Sequence, residues 1–358
     1  MTPQTGCSAT FFPGSETAWQ GPSEDDAARP VLGSDLLLYH RGGCRMKVAR
    51  RLLTAIVAVF FFGIYSGCVE DDRCGTYLGA QRLEDGSTVV CEACTNVHTA
   101  KVVRVSPDGS EIWSYRYPDS QLNGPHSAFW CLDDKMIIAD TGHGRIILLD
   151  TMTKEILWDS RKITFSDPEI THNYANYACV LPNGNVLASI RDGHIVLELE
   201  FDGTIVWSFG HWAEPGKDDT HLNGPHWPER LENGNTLIPD SWNHRIIEVN
   251  PAGEIVWTYE PTGLPYWLAW PRCAQELPNG NVLITDISNY WEVTRQGEVV
   301  KQFCRPGTDD WGYMAAMLEN GNYLLAGWHR IDEFTPQGEL VWSYLSPWAI
   351  TPTPVMIQ

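Results

Sequence analysis

The chain has 358 residues, 43% hydrophobic and 20% charged, with 16 Trp and a formal net charge of −20. That is a globular composition, long enough for one large domain or two smaller ones. Its acidity argues against a nucleic-acid partner, because phosphate backbones are held by clustered Lys and Arg.

Residues 1–45 are rich in Gly, Pro, Ser and Asp and read as disordered, or as an over-extended start ahead of Met46. From Met46 the sequence runs "MKVARRLLTAIVAVFFFGIYSGC". Lys47, Arg50 and Arg51 form a basic start, and 52–64 an apolar core too short for a comfortable membrane span. The ending "IYSGC" resembles a bacterial lipobox, with Tyr65 where Leu is usual and Cys68 as the residue to be lipidated. Ordinary cleavage nearby and a retained anchor are the alternatives. Residues 46–68 are therefore expected to be a signal peptide. The protein is expected to be exported, periplasmic or at the cell surface, touching the membrane only through an N-terminal lipid or anchor. Export permits disulfides. Beyond Cys68 stand Cys74, Cys91, Cys94, Cys131, Cys179, Cys273 and Cys304, an odd number that leaves one unpaired if Cys68 carries lipid. "CEAC" (91–94) reads as a local disulfide or two thiols. No second CxxC and no His pair at metal spacing accompanies it, so no metal is expected.

From 75 onward the chain repeats itself. The phrase "AGEIVW" (252–257) recurs as "DGSEIW" (108–113), "TKEILW" (153–158), "DGTIVW" (202–207), "QGEVVK" (296–301) and "QGELVW" (337–342). Before most of them stands a phrase such as "LPNGNVLAS" (181–189) or "LENGNTLIP" (231–239). The six copies fall about 40–50 residues apart, the period of propeller blades. Each copy reads as four short strands, with Val, Ile, Trp and Tyr in the strands and Asn-Gly chemistry in the turns. In the fourth copy "HWPERL" (226–231) is taken as the first strand. The predicted fold is all-β: a six-bladed β-propeller of four-stranded antiparallel blades over 69–346, followed by a tail at 347–358. Trp113, Trp158, Trp207, Trp257 and Trp342 are expected to pack between blades, with Lys301 departing in the fifth.

Aligning the copies on Leu83, Cys131, Leu181, Leu231, Leu277 and Leu318 exposes a variable column five residues earlier: Leu78, His126, Asn176, His226, Arg272 and Tyr313. These begin the innermost strands, so they should ring one mouth of the axial channel. The two histidines end identical "LNGPH" phrases at 122–126 and 222–226. Simple solvation of a wet channel is the plainer explanation. The column nevertheless has cationic and neutral donors and no carboxylate, a set that suits an anion rather than calcium. "DTGHGRI" (140–146) matches "DSWNHRI" (240–246), pairing Asp140 with Arg145 and Asp240 with Arg245 at a blade edge, unless Arg245 or His329 reaches the pocket. His194 and His244 read as loop histidines without a role, and His172 as a residue that could approach the mouth. The insert "GHWAEPGKDDTH" (210–221) leads into His226 as a rim, with Trp227 a possible wall for an aromatic ligand.

The unit "PHWPERLENGNTLIPDSWNHRIIEVNPAGEIVW" (225–257) resembles the arylsulfate sulfotransferase family of β-propellers, and the likeness extends over essentially the whole repeat. Enzymes of that family are exported and move a sulfuryl group from an aryl sulfate to a phenol through a sulfated histidine, without a nucleotide cofactor. The resemblance implies that His126, His226 and Arg245 hold the sulfate and stabilise the leaving phenolate. Asn176, Arg272, Tyr313, His329 and Trp227 would contact an aryl sulfate or phenol. The family's nucleophilic histidine lies in a late blade, where this chain has Tyr313. Either His226 or His329 takes that role, or the chemistry is changed. A non-catalytic cell-surface propeller binding a ligand, glycan or protein is the competing reading, and a quinone-dependent dehydrogenase a weaker one.

Overall fold

The computed structural model describes residues 76–345, apart from 95–96, 132, 172–173, 262–267, 288 and 305–310, together with 356–357. Of 303–304 and 356–357 it describes the backbone. The signal segment, Cys68, Cys74, His172 and most of the expected tail lie outside these residues.

The turns explain why the strands pair as they do. In "LPNGN" the Leu181 N–H donates to Asn185 O at 2.8 Å, and Gly184 sits at φ +88°, a conformation that glycine adopts without steric cost. Such turns fold each copy into a four-stranded antiparallel sheet with its strands in sequence order, and six such sheets form the ring. The protein is a six-bladed β-propeller. The innermost strands are Tyr77–Arg82, Ser127–Trp130, Ala175–Val180, Glu229–Arg230, Cys273–Glu276 and Gly312–Met317. Second strands such as Thr236–Asp240 are buried along their whole length, whereas the fourth strand Ile255–Tyr259 alternates between core and solvent. Among the described residues, no helix is long and apolar enough to cross a membrane.

Three features differ from the sequence expectation. The first strand of blade four is only Glu229–Arg230, because Pro228 has no N–H to give to a ladder. Instead Trp227 makes a parallel bridge to Cys273 of blade five, its N–H donating to Arg272 O at 3.1 Å. The tail is in part a strand: Met356–Ile357 pairs antiparallel with 303–304 as a fifth strand of blade five. Neither reading of "CEAC" holds, since Cys91 is a free thiol while Cys94 is disulfide-bonded.

Blades are joined by side chains. In blades three to six a buried glutamate on the third strand accepts through Oε1 from one or two turn asparagines of its own blade. Glu198, for example, takes Asn183 and Asn185 Nδ2 at 2.9 and 2.7 Å. Its Oε2 faces the next blade, where Arg230 Nη1 lies at 2.8 Å and the guanidinium stacks 5.3 Å over Trp207. Glu248 is held the same way by Arg295, which covers Trp257. In blade five, where Lys301 replaces the tryptophan, Glu292 takes the Tyr323 hydroxyl at 3.1 Å. The indoles of Trp113, Trp158 and Trp257 donate to carbonyls of the following blade at 2.7–2.8 Å, as expected of inter-blade residues.

The same staple closes the ring. Blade six's Glu333 meets Arg82 of blade one at 2.7 Å, and Arg82 stacks 4.8 Å over Trp342. The Arg82 and Glu333 side chains are 16% and 5% exposed, against 32% and 50% for the surface pair Lys154–Asp119. Removing one partner of a buried pair costs about 3 kcal/mol or more, whereas exposed pairs contribute about 0–1 kcal/mol. Glu333→Ala should therefore lower the urea-unfolding free energy far more than Asp119→Ala. Equal small losses would show that the ring closes without this contact.

Candidate functional site

Each "LNGPH" loop is fixed by its own blade. The Asn123 and Asn223 N–H groups donate to Asp140 and Asp240 Oδ1, both at 2.7 Å. Their carbonyls accept from Gly142 and Trp242 N–H at 2.7 and 2.9 Å. The next residue is a left-handed glycine, Gly124 at φ +55° and Gly224 at φ +61°. A Cβ on Gly224 would stand 2.6 Å from the Trp242 ring, so space as well as backbone angle requires glycine. This turn aims the glycine carbonyl at the histidine two residues on, accepting from Nδ1 of His126 at 2.8 Å and of His226 at 3.0 Å. The preceding blade holds the glycine itself: Gly124 N–H donates to Cys94 O at 2.6 Å, and Gly224 N–H to His194 Nδ1 at 3.1 Å. His194, unassigned from sequence, is thus a buried acceptor supporting the loop of the next blade.

A carbonyl can only accept, so both histidines carry their proton on Nδ1 and present a lone pair at Nε2. His226 Nε2 accepts a short bond from Arg272 Nη1. No described residue bonds His126 Nε2, so its lone pair is left for a ligand. Tyr313 lies edge-on to both rings, with centroids 6.0 and 6.3 Å away, and Arg272 sits 5.4 Å over its face. Four members of the sequence column therefore meet: His126, His226, Arg272 and Tyr313.

Asn176 supports them from beneath. It is fully buried, takes the Ser189 hydroxyl at 2.6 Å, and its Nδ2 reaches Pro225 O at 3.5 Å, beside His226. Trp227 is also buried, 5.1 Å from Tyr177, 5.5 Å from Phe129 and 6.5 Å from Tyr313, forming an aromatic cluster. Its indole N–H is buried without a partner among the described residues. Arg245 is placed elsewhere. It is committed to its blade edge, with Nε on Asp240 at 2.7 Å and Nη2 on the Asp218 and His221 carbonyls at 3.2 Å. His329 lies in the turn before Arg330–Phe334, its ring 6.5 Å from that of Trp328. A cavity of about 470 Å³ opens at the opposite ends of the blade-one and blade-six inner strands, lined by Ala80, Leu83, Phe129, Met314 and Leu318. None of the column residues lines it.

The electrostatics follow from burial. His126 is held down to about 4 by burial, with the Arg191 and Arg272 charges adding to the effect and the Gly124 carbonyl opposing it. Burial and Arg272 push His226 well below the ordinary histidine range. Burial raises Tyr313, against the pull of Arg272 and Arg191. At neutral pH the site thus holds two neutral imidazoles, a neutral phenol and a guanidinium. It can bind an oxyanion, supply a nitrogen nucleophile and donate a proton. The column carries no carboxylate with which to hold a hard cation.

No protein-family model and no curated protein matches the chain. Solved structures do. A streptogramin B lyase aligns at TM-score 0.54 and 16% identity, over 77% of this chain and 85% of that one. Virginiamycin B lyase from Staphylococcus aureus gives TM-score 0.54 and 15% identity, over 78% and 87%. A protein of unknown function from Bacteroides caccae gives 0.53 and 15%, over 76% and 94%. These likenesses establish the β-propeller class.

The low His126 value fixes a sign. The unfolded chain binds a proton near 6.5 and the folded chain only near 4. Stability is therefore full above that window and falls as pH drops through it. His126→Gln should flatten the fall in Tm across the window, and the imidazole nitrogen shifts of His126 should remain those of the neutral ring at about pH 5. Titration at the ordinary histidine value would contradict the placement.

Proposed function

We propose that the axial site transfers a sulfuryl group between phenols, with His126 as the nucleophile. The observation that carries the proposal is the open Nε2 lone pair of His126 beside Arg272 and Tyr313. The resemblance of the repeat to arylsulfate sulfotransferases supports the same chemistry. Arg272 binds the sulfate oxygens and stabilises the charge that grows on them. His126 Nε2 attacks sulfur, the bond from sulfur to the aryl oxygen breaks, and the leaving phenolate takes the Tyr313 proton. The sulfated ring keeps its Nδ1–H on the Gly124 carbonyl. In the second half, an acceptor phenol gives its proton to the Tyr313 oxygen and its own oxygen attacks sulfur. The nitrogen–sulfur bond breaks and His126 is restored. Tyr313 thereby becomes the proton carrier in the slot where the family has a histidine, and His226 orients Arg272. The donor and acceptor are an aryl sulfate and a phenol, and the signal-like segment at 46–68 supports a reaction outside the cytoplasm.

With phenyl sulfate as donor and a second phenol as acceptor, the wild type should turn over. His126→Ala should lose about 10³-fold or more in kcat, Tyr313→Phe roughly 10²–10⁴-fold, and Arg272→Ala about 10²–10³-fold. Arg245→Lys should stay within a few-fold of wild type. Binding of the aryl sulfate without turnover by wild type would favour the non-catalytic reading, and full activity of His126→Ala would remove His126 from the mechanism.

A further inference from the structure

We infer that the insert between blades three and four is a binding site for a divalent transition metal of the Zn²⁺ type, formed by His211, Glu214 and His221. Sequence spacing gave no hint of it, and it revises the expectation of no metal. The insert leaves the fourth strand of blade three, Ile205–Gly210, and returns directly into the second "LNGPH" loop.

Its shape is held from several sides. His211 and Glu214 form an isolated bridge, with Glu214 N–H on His211 O at 3.2 Å. Gly216 N–H closes on Leu222 O at 3.1 Å, and a Cβ on Gly216 would stand 2.7 Å from His221 Cβ, so the two limbs touch. Arg245 binds the Asp218 and His221 carbonyls, and Asn243 Nδ2 binds Gly216 O at 2.6 Å. The blade-edge arginine is thus a support for the insert.

This scaffold places one ligand atom from each of His211, Glu214 and His221 within 4.8 Å of one another. The two imidazole centroids are 4.3 Å apart. Asp218 accepts a hydrogen bond from His221 Nδ1–H, its oxygens 2.8 and 2.9 Å away, so the neutral ring offers Nε2 as its ligand atom. That Nε2 faces Glu214 Oε2 at 3.8 Å. Two acceptors facing each other beside a second imidazole form a set that a cation satisfies. A carboxylate on the far nitrogen of a ligating histidine is the usual outer support of such sites, since it fixes the tautomer and strengthens the donor. Two histidines and one glutamate make a three-ligand set that leaves a fourth position for water. His211 and Glu214 are exposed, so a metal has a path in, and their side chains can close by the short distance that Zn–N bonds of about 2.0–2.1 Å require.

The test uses the full chain stripped by a chelator and titrated with Zn²⁺ against a chromophoric competitor, with Co²⁺ absorption as the geometric readout. The wild type should bind one Zn²⁺ that the His211→Ala/His221→Ala pair of substitutions weakens by about 100-fold or more. Asp218→Asn, which keeps all three ligands, should weaken it by about 10–100-fold. Glu214→Gln should change the Co²⁺ spectrum, and unchanged circular dichroism and Tm in the metal-free variants exclude misfolding as the cause. Zn²⁺ binding by the wild type no tighter than by the double variant would overturn the site. So would an unchanged affinity in both the double variant and Asp218→Asn.

Discussion

A buried carboxylate shared by two blades fixes this ring. Taking a glutamate out of water is costly unless both oxygens are bonded. Glu198, Glu248, Glu292 and Glu333 each spend one oxygen on turn asparagines of their own blade and the other on the next blade. A blade that slipped against its neighbour would strand a charge, so the glutamates set the angle between blades as well as their adhesion. The constraint matters most between blades six and one. Each is already a four-stranded sheet, and among the described residues no strand is exchanged between them. Closure combines Arg82 between Glu333 and Trp342 with the Tyr77 N–H on Trp328 O at 2.9 Å and an apolar cluster in which Leu78, Val90 and Val103 of blade one meet Met314, Leu324 and Ile331 of blade six.

A rigid ring brings six strand starts to one axis, and the axial chemistry follows. The aromatic residues Phe129, Tyr177 and Trp227 pack together next to the polar set, with Trp227 6.5 Å from Tyr313. Pro228 contributes by breaking the inner strand of blade four. The chain there bonds to blade five instead, which carries His226 against Arg272. Burial then keeps the imidazoles neutral, the protonation state that a nitrogen nucleophile needs.

The fold was legible because its signals are local. Asn-Gly turns, strand composition and a repeated phrase lie within single copies, so six blades could be counted directly. The axial column was legible for a related reason: once the repeat is in register, equivalent positions share one place in the ring. What escaped was carried by contacts between distant residues or by backbone shape. Arg82 and Glu333 are 251 residues apart. In "LNGPH" the histidine is what stands out in the sequence, whereas its Asn, Gly and the matching Asp140 and Asp240 are what choose the tautomer. Those aspartates were visible as a repeated column and could have been connected to the loop. Arg245 was ambiguous because an arginine after a strand serves a blade edge and an anion equally well. The metal-ligand set of the insert escaped because His211 and His221 meet only through the return of the loop at Gly216.

The most direct measurement is a rapid-quench digest of the full chain after exposure to an aryl sulfate without acceptor, held at alkaline pH and mapped by mass spectrometry. The axial account expects one sulfuryl group on the peptide carrying His126, removed when a phenol is added before the quench. A sulfuryl group on the His226 or His329 peptide, or none on a chain that turns over, would contradict it.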